Sequence, residues 1–469
     1  MNIGKRILEN VSKNKEVISA TIVGSYTENK NLDLIGDLDV VVICKKLSSH
    51  LIKNLNKKIS KININKQKKK IIINPSFGPL KINSNKHLPV HLMIYDVESH
   101  IEHVCSSPFT CYDWERSNLY KGTALKNIFP VNYLQLRDFF NSRRSSTEYL
   151  KDLLKNRISI RNYILSGKKI KLKKKYVKIN SRNRGEFVYH IINFLIINLY
   201  KFLKNKNIKL TSNEFKKLFL QITLNDKNLF KQFSNLKKRK EQKSLDYDHT
   251  EIVLAKKFIY KYNKFLNNIK KNTIDIKFIR HAKTKKNIKN IFLGSGSDPD
   301  IIKKKQTNKN NQKYDLIITS NLKRSISTSK FYKSKKTINK GLINEINYGR
   351  VEGMSYSQLK TNYPSIIKAW KKDFDIRFPK GESTKDVKGR VKKFLNYLKK
   401  IKNKKKILII SHSFFIRVLL GIFLKYNLKK IYQLKIPHLK KLEFLKKDNK
   451  ILLNIDRKYF KKFHKEIYD

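Results

Sequence analysis

The spacing of hydrophobic residues divides the chain into three regions. Short apolar runs within residues 1–125 predict strands. These runs lie at 19–23, 38–43 and 90–95. Residues 126–270 show helical periodicity without strand alternation, whereas predicted strands and helices alternate in residues 271–469. The pattern predicts an α/β multidomain protein, with an α/β domain at each end and a helical domain between them.

Two predicted strands of the C-terminal region run directly into histidines. The run at 274–279 is followed by Arg280 and His281, and the run at 407–410 leads through a serine to His412. The carboxyl ends of neighbouring parallel strands meet at one edge of a sheet, where open α/β folds bind ligands. We therefore expect the two imidazoles to lie side by side.

Two arginines and a carboxyl group complete this candidate site. Arg324 opens the helix predicted after the strand at 316–320, and Glu345 lies in a loop. The arginine donors suit a phosphoryl group, and a histidine can attack phosphorus as a nucleophile. The glutamate can protonate the leaving oxygen and then take a proton from water. Such a pocket needs no metal, because its cations meet the developing charge.

In their order and spacing these residues resemble the phosphoglycerate-mutase-like branch of the histidine phosphatase superfamily. The matching motifs are Arg280-His281-x-x-Thr284-x-x-Asn287, Gly294-x-x-Ser297-Asp298, Ser320-x-x-x-Arg324-x-x-x-Thr328, Glu345 to Gly353, Gly381-Glu382-Ser383 and Ser411-His412. The resemblance implies a three-layer α/β domain over 271–469, with a mostly parallel sheet and no cofactor. The chain departs from the family in having Ala282 after the Arg-His pair, and the segment 301–313 is polar where a helix is expected.

The resemblance also implies a role for each matching residue. His281 would be the phosphorylated nucleophile and Glu345 the acid. The other catalytic residues would be Arg280, Arg324 and His412. Substrate binding would involve Asn287, Thr284 and Ser411. Mutases and phosphatases of this kind share these residues, so both reactions on a small phosphorylated metabolite remain open.

A second candidate site lies in residues 1–125. Gly24-Ser25 follows the first predicted strand, and such a turn lets backbone amides and a hydroxyl approach a triphosphate. Asp37 and Asp39 open the second strand on one face, where two carboxylates can share a divalent metal. These residues resemble the DNA polymerase β-like nucleotidyltransferase superfamily. The resemblance implies nucleotidyl transfer from a nucleoside triphosphate, with Mg²⁺ as the cofactor.

That family generally supplies a third carboxylate from a later strand. In this chain the central position of the strand is His91, and Asp96 lies at the strand end. Three alternatives are open at this point. The domain is active with His91, it is active with Asp96, or it binds a nucleotide without transferring it.

The charge balance changes this picture little. The 469 residues include 106 Lys and Arg against 36 Asp and Glu, for a formal net charge of +70. Lysine is spread over every segment, so we interpret it as a solvated surface and expect weak, salt-sensitive attraction to polyanions. Three cysteines without metal or disulfide spacing fit a reducing cytoplasm. The apolar run at 187–203 is interrupted by polar residues, so we expect a buried helix and no membrane partner.

Three hypotheses follow for the whole chain. The first is a cytoplasmic bifunctional enzyme that transfers a nucleotide through residues 1–125 and hydrolyses a phosphomonoester through residues 271–469. The second keeps the phosphatase or mutase and makes the N-terminal domain a regulatory nucleotide sensor. The third is a basic RNA-binding or RNA-modifying protein.

Overall fold

The chain forms two compact units, which are described here separately. The computed structural model describes residues 2–32, 35, 37–64, 70–77, 87–131, 134–166, 169–179, 181–204, 210–241, 250–289, 291–302 and 312–457. The first unit is Met1–Asn268 and the second is Ile269–Asp469. The regions 1–125 and 126–270, which were predicted as separate domains, thus lie almost entirely in one unit.

A five-stranded mixed sheet forms the base of the first unit. Its strands are β1 (Val17–Val23), β2 (Leu38–Cys44), β3 (Lys70–Asn74), β4 (His87–Asp96) and β5 (Tyr120–Gly122). The spatial order is β3-β4-β2-β1-β5. The strands β2, β3 and β4 are parallel, and β1 runs antiparallel to β2 and β5. The three strands predicted in this region are confirmed as β1, β2 and β4.

Helices cover this sheet and fill most of the rest of the unit. They are α1 (Ile3–Ser12), α2 (Ser49–Ser60), α3 (Val97–Ser106), α4 (Pro108–Trp114), α5 (Leu125–Ile128), α6 (Leu136–Leu154), α7 (Ser181–Lys204), α8 (Ser212–Thr223), α9 (Lys227–Glu241) and α10 (Thr250–Lys271). Apolar residues of α1 and α2, such as Ile7 and Leu55, are fully buried against Val40 and Val42 of β2. This packing buries β2 and thereby holds the start of the strand, where Asp37 and Asp39 lie, in place.

The expectation of helices throughout residues 126–270 is wrong at one point. An antiparallel hairpin of β6 (Arg157–Ser166) and β7 (Lys169–Lys178) lies between α6 and α7. Lysines at most positions of β7 hide its period of two, so the segment looks like a polar break. A non-local contact also supports the hairpin, because the backbones of Phe77 and Arg161 exchange hydrogen bonds of 2.7 and 2.9 Å.

The helix α7 contains the longest apolar run of the chain. By length and composition its segment Arg184–Lys204 could cross a membrane, and 56% of the most apolar window is buried inside the structure. Its buried side chains include Val188, Ile192 and Leu199. The expected buried helix is therefore present, and the core helix of a folded unit has these same properties.

The second unit is built on a six-stranded sheet. Its strands are β8 (Thr273–Arg280), β9 (Leu316–Thr319), β10 (Thr337–Asn339), β11 (Lys406–Ser411), β12 (Leu442–Lys447) and β13 (Lys450–Leu453). The spatial order is β10-β9-β11-β8-β12-β13. The first four strands in this order are parallel, and β12 and β13 are antiparallel additions. The predicted, mostly parallel sheet is thus confirmed.

Seven helices among the described residues accompany this sheet. They are α11 (Lys285–Ile288), α12 (Lys323–Ser329), α13 (Tyr356–Asn362), α14 (Pro364–Lys371), α15 (Thr384–Lys400), α16 (Ser413–Leu424) and α17 (Leu428–Gln433). The central strands β9 and β11 are apolar on both faces, and Ile407–Ile410 are fully buried. Residues 303–311, which make up most of the polar segment at 301–313, lie outside the described residues.

Two glycines of the second unit give a matched test of local backbone constraints. Gly349 has φ +54°, and an added Cβ would lie 2.0 Å from the carbonyl oxygen of Pro379. Gly389 lies within α15 and has open space around it. We expect Gly349→Ala to lower the free energy of unfolding by about 1–3 kcal/mol or more. The matched Gly389→Ala should raise it by about 0.5–1 kcal/mol.

Urea unfolding of the full chain, followed by circular dichroism, measures both effects. Midpoints that shift in opposite directions are the expected result. Equal midpoints for the two variants would contradict the constraint assigned to Gly349.

Candidate active site

Two histidines meet at the carboxyl edge of the second sheet. The parallel pairing of β8 with β11 places Arg280 opposite Ser411, so His281 and His412 follow at the same level. The backbone N–H of His281 donates to the carbonyl of Ser411 at 3.0 Å. The centroids of the two imidazole rings are 5.0 Å apart. The sheet therefore brings together two side chains that are 131 positions apart in sequence.

The hydrogen bond of His281 defines its tautomer. Its Nδ1 lies 2.6 Å from the carbonyl oxygen of Ala282, which can only accept, so Nδ1 carries the proton. Burial lowers the pKa of His281 well below its ordinary value, and the cations of Arg324 and Arg280 lower it further. The ring is therefore neutral, with the lone pair on Nε2. A neutral imidazole in this state is a nucleophile.

His412 has the opposite tautomer. Arg324 donates from Nε to Nδ1 of His412 at 3.3 Å, so the proton of the neutral ring is on Nε2. That nitrogen lies 2.7 Å from the hydroxyl of Ser320, to which it donates. Burial lowers the pKa of His412 well below its ordinary value, with His281 and Arg324 adding to the effect. His412 is thus a neutral donor beside the nucleophile.

Arg324 is fully buried and is held by the loop that precedes β9. Its Nη2 donates to the carbonyl of Gly294 at 2.8 Å, and its Nη1 donates to the carbonyl of Ser297 at 2.7 Å. Asp298 lies 3.2 Å from Nη1 and forms an ion pair. Burial lowers the pKa of Arg324, while Glu345 and Asp298 oppose the shift. These contacts orient the guanidinium at the start of α12.

Arg280 keeps a donor that no described residue accepts. Its Nη1 donates to the carbonyl of Ile436 at 3.1 Å, but its buried Nε has no hydrogen-bond partner among the described residues. Burial lowers the pKa of Arg280 to about 10, partly opposed by the charge of Glu345. An unsatisfied buried donor is costly, and a phosphoryl oxygen would satisfy it.

Glu345 is buried at the N-terminus of α16. Its Oε1 accepts from the backbone N–H groups of Phe414 at 3.0 Å, Ile346 at 3.1 Å and Phe415 at 3.4 Å. The positive end of a helix favours a carboxylate at this position. Its charge acts on both Arg280 and Arg324, so the carboxyl group belongs to the same cluster of charges.

The three residues expected to bind substrate have structural contacts here. The N–H and hydroxyl of Thr284 donate to Oδ1 of Asn287 at 3.1 and 3.0 Å, and this reciprocal cap starts α11. The cap uses only the side-chain oxygen of Asn287, so its amide NH₂ group is the part suited to a phosphoryl oxygen. The hydroxyl of Ser411 donates to the carbonyl of Ile343 at 2.7 Å.

Three residues around this site, His438, Glu352 and Asp298, were not predicted as site residues. His438 lies beside the nucleophile, with its Nδ1 2.6 Å from the carbonyl of His281 and its ring centroid 5.4 Å from that of His281. Glu352 accepts from the N–H groups of Gly294, Gly296 and Ser297 and orders the loop behind Arg324. Asp298 and Glu352 belong to the motifs that carry the resemblance, which was the available signal. No pattern pointed to His438, because it stands alone in an irregular segment.

The candidate residues of the first unit also converge. Gly24 begins a short 3₁₀ turn after β1 with φ +73°, and a Cβ there would lie 2.3 Å from Oδ2 of Asp39. Asp37, Asp39 and His91 have ligand atoms within 4.8 Å of one another. Ser25 is exposed in the same turn. Two carboxylates provide the oxygen ligands that suit Mg²⁺, so this donor set fits the ion.

His91 stands opposite Asp39 in the parallel pairing of β2 and β4. Its Nδ1 lies 2.9 Å from Oδ1 of Asp39, and its Nε2 lies 2.6 Å from the carbonyl of Ser76. Both partners accept, so both ring nitrogens carry protons. Burial alone would lower the pKa of His91, but the hydrogen bond and charge of Asp39 outweigh it, and the pKa is raised. A cation thus occupies the third-carboxylate position.

The alternative that Asp96 supplies the third carboxylate is wrong. Asp96 pairs with Cys44, five positions along β2 from Asp39, which corresponds to about 16 Å of strand. Its carboxylate accepts from the N–H of Ser99 at 2.8 Å and caps α3. The Asp96 carboxylate therefore lies at the opposite end of β4 from the candidate site and caps a helix there.

A cleft of about 400 Å³ opens beside Asp37 and Asp39. Its walls include the aromatic rings of Trp114 and Tyr189 and the guanidinium of Arg161. Helices of the region 126–270 thus shape the space next to the carboxylates. This space has the size and the mixed aromatic and polar lining of a small-molecule site.

Comparison with known proteins identifies the second unit. Residues 276–453 match the Histidine phosphatase superfamily (branch 1). A 2,3-bisphosphoglycerate-dependent phosphoglycerate mutase of Bartonella tribocorum is 27% identical over 160 residues, which are 30% of this chain and 77% of the mutase. A 6-phosphofructo-2-kinase/fructose-2,6-bisphosphatase of Arabidopsis thaliana is 32% identical over 127 residues, which are 27% of this chain and 17% of that protein.

A human relative and a solved structure extend the comparison. The 6-phosphofructo-2-kinase/fructose-2,6-bisphosphatase 4 of Homo sapiens is 28% identical over 187 residues, covering 37% of this chain and 38% of that protein. A putative alpha-ribazole-5'-P phosphatase from Escherichia coli aligns at 18% identity and a TM-score of 0.35, over 39% of this chain and 95% of that chain. This chain thus spans most of the mutase but well under half of the two kinase/bisphosphatases. Residues 276–453 are a histidine phosphatase superfamily domain.

Proposed function

We propose that the second unit hydrolyses a small phosphomonoester through a phosphohistidine formed at Nε2 of His281. The observation that carries this proposal is the neutral tautomer of His281, whose Nε2 lone pair lies beside two buried arginines. The relatives are named for phosphoglycerate and fructose bisphosphate, which supports a small phosphorylated metabolite as the substrate.

The reaction takes place in two steps. The phosphoryl group accepts from Arg280 and Arg324, and from Nε2 of His412 in place of its present contact with Ser320. Nε2 of His281 attacks phosphorus as the bond to the leaving oxygen breaks. Glu345 gives that oxygen a proton. In the second step Glu345 takes a proton from water, whose oxygen attacks phosphorus and releases inorganic phosphate from His281.

A mutase reaction is the alternative outcome of the same first step. In that case the phosphoryl group returns to another hydroxyl of the bound substrate instead of passing to water. The two reactions differ in their products, because only the hydrolase accumulates inorganic phosphate. We propose hydrolysis, and a phosphate-release assay on phosphoglycerate tests it against isomerisation.

Replacing the proposed nucleophile provides the first test. We expect His281→Ala to lower the hydrolysis rate of p-nitrophenyl phosphate at least about a thousandfold, because the covalent route is lost. The wild-type protein should retain its activity in a metal chelator. The matched control is His50→Ala, which removes an exposed histidine of α2 and should leave the rate unchanged. Wild-type turnover by His281→Ala would refute the role of His281.

The pH dependence provides a second test. Protonation removes the nucleophilic lone pair, and burial together with Arg324 and Arg280 lowers the pKa of His281 below 6.5. The neutral form therefore persists below pH 6.5, and the acid limb of kcat/KM should lie below that pH. The pH profile of kcat/KM is measured with a phosphate ester whose own ionisation has been determined separately. The contribution of that ionisation is then removed from the profile. An acid limb at or above pH 6.5 would contradict the burial effect.

We also propose that the first unit binds a nucleoside triphosphate at Asp37 and Asp39 and transfers its nucleotidyl group to an acceptor. The observation that favours this is the convergence of both carboxylates with the turn at Gly24. Mg²⁺ held by Asp37 and Asp39 would neutralise and orient the triphosphate. His91 pairs with Asp39 and leaves the group of three with one net negative charge, so the metal is held weakly.

Exchanging charge at His91 tests this site. We expect His91→Asp to tighten Mg²⁺ binding about tenfold, because a third carboxylate replaces a cation. Asp37→Asn should weaken it, and the control His87→Asp introduces a carboxylate four residues earlier on β4. Mg²⁺ titration by calorimetry, with a non-hydrolysable nucleotide present, measures the affinities. Equal Mg²⁺ affinity in wild type, His91→Asp and Asp37→Asn would rule out a metal site here.

Transfer itself requires a separate assay. Labelled nucleoside triphosphate, Mg²⁺ and a panel of acceptor metabolites should yield a labelled product. Binding without incorporation across the panel would favour the regulatory nucleotide sensor instead.

A further inference from the structure

A second pocket of the histidine phosphatase domain has mostly aromatic walls. Its volume is about 410 Å³, and six aromatic side chains line it. Tyr348 and Phe414 lie on its inner side and are buried, whereas Tyr356 at its rim is 55% exposed. The ring of Trp370 lies 4.7 Å from that of Tyr432, centroid to centroid. Such walls offer flat faces on which a planar group can stack.

The pocket shares its inner wall with the candidate active site. Phe414 lines the pocket, and its backbone N–H donates to Glu345 at 3.0 Å. Tyr348 also lines the pocket and lies three residues after Glu345 in sequence. The group proposed to protonate the leaving oxygen therefore lies directly behind this wall. Arg417, which lines the pocket, lies close enough to Arg280 and Glu345 for their charges to interact, so the pocket borders the phosphoryl site.

The charged groups of the pocket have one sign. Arg417, Lys371 and Lys429 are cations, and no carboxylate side chain is among the described residues that line it. Lys371 and Lys429 are exposed at the rim, whereas Arg417 is partly buried, one helical turn after Phe414 on α16. An anionic substituent on a ligand would be favoured over a neutral or cationic one.

Arg417 has a donor that no described residue accepts. Its buried Nε has no hydrogen-bond partner among the described residues. A guanidinium offers five N–H donors and no acceptor, so a ligand oxygen is the natural partner. The arginines assigned to the phosphoryl group, Arg280 and Arg324, lie on the strand β8 and the helix α12 instead. The unpaired donor of Arg417 is thus separate from those of the two arginines assigned to the phosphoryl group.

We propose that this pocket binds the leaving group of the substrate, and that this group is a planar ring system bearing a carboxylate or a similar anionic oxygen for Arg417. The inference rests on the proposed phosphatase function. It also specifies the class of substrate, which the catalytic residues common to mutases and phosphatases do not define. The aromatic walls select the planar group, and Arg417 with the two rim lysines selects its charge.

Three phosphate esters separate the contributions of ring and charge. They are 3-carboxyphenyl phosphate, its neutral amide analogue 3-carbamoylphenyl phosphate, and the aliphatic acid 2-carboxyethyl phosphate. We expect the wild-type chain to prefer the carboxyphenyl ester over the amide about tenfold in kcat/KM, through KM, because a charge-assisted hydrogen bond is replaced by a weaker one. It should also prefer the carboxyphenyl ester over the aliphatic acid, since only the former has a ring.

Variants of the cations assign the preference to residues. Arg417→Met should reduce the ratio of carboxyphenyl to carbamoylphenyl ester to near one, and Arg417→Lys should keep part of it. The control Arg350→Met removes an exposed arginine outside the pocket and should leave the ratio unchanged. The paired change Lys371→Met with Lys429→Met should lower the ratio about two- to threefold. This paired variant also provides the test if Arg417→Met does not fold.

The outcomes distinguish this inference from the proposed function. Absence of hydrolysis for all three esters would refute the phosphatase, and the inference would fall with it. Hydrolysis of all three with equal KM values would overturn the inference and leave the phosphatase intact. A preference that survives in both Arg417→Met and the paired lysine variant would exclude these cations as its cause.

Discussion

The parallel pairing of β8 with β11 is the constraint on which the histidine phosphatase domain depends. The strand β11 is apolar on both faces, whereas β8 alternates apolar residues with Asp275 and Lys277. Both strands lie inside the sheet, and their carboxyl ends bring polar side chains to one edge. The register that places Arg280 opposite Ser411 then puts both histidines at one level. A shift of one residue would turn one imidazole to the other face of the sheet. The reactive geometry is thus a consequence of strand packing.

Buried positive charge is the second constraint on this domain. The charge of Glu345 acts on all three arginines of this domain's site and pocket, Arg280, Arg324 and Arg417. Backbone carbonyls satisfy Arg324, but Arg280 and Arg417 each retain an unpaired donor. This excess of cations suits phosphate, and it also keeps His281 neutral by opposing its protonation.

The candidate site of the first unit has an excess of negative charge instead. Asp37 and Asp39 bring two negative charges together next to Gly24, and the imidazolium of His91 offsets part of them. The imidazolium of His91 is held in place by the backbone carbonyl of Ser76, so this cation is part of the folded unit itself. Both units therefore leave charge partly uncompensated at a candidate site. One unit does so with arginines and the other with carboxylates.

The sequence by itself determined six of the thirteen strands among the described residues and named most of the candidate site residues. Apolar runs long enough to be buried predicted β1, β2, β4, β8, β9 and β11, and the polar residues at their ends named the two sites. The hairpin of β6 and β7 was not predictable from alternation, because lysines mask the period of β7 and Phe77 supports the hairpin from far away in sequence. From the sequence, Asp96 was a candidate for the third carboxylate. The register of β2 and β4 places it too far along the strand from Asp39 to share a metal ion with it.

Only the tertiary structure decided the states and the surroundings of these residues. The protonated nitrogen of His281 is set by the carbonyl of Ala282, and the cationic state of His91 is set by Ser76 and Asp39. The aromatic pocket around Arg417 joins segments that lie more than 100 residues apart. The residue types in a sequence define which chemical reactions are possible. Burial and contacts between distant segments then select protonation, charge and shape, and these exist only after folding.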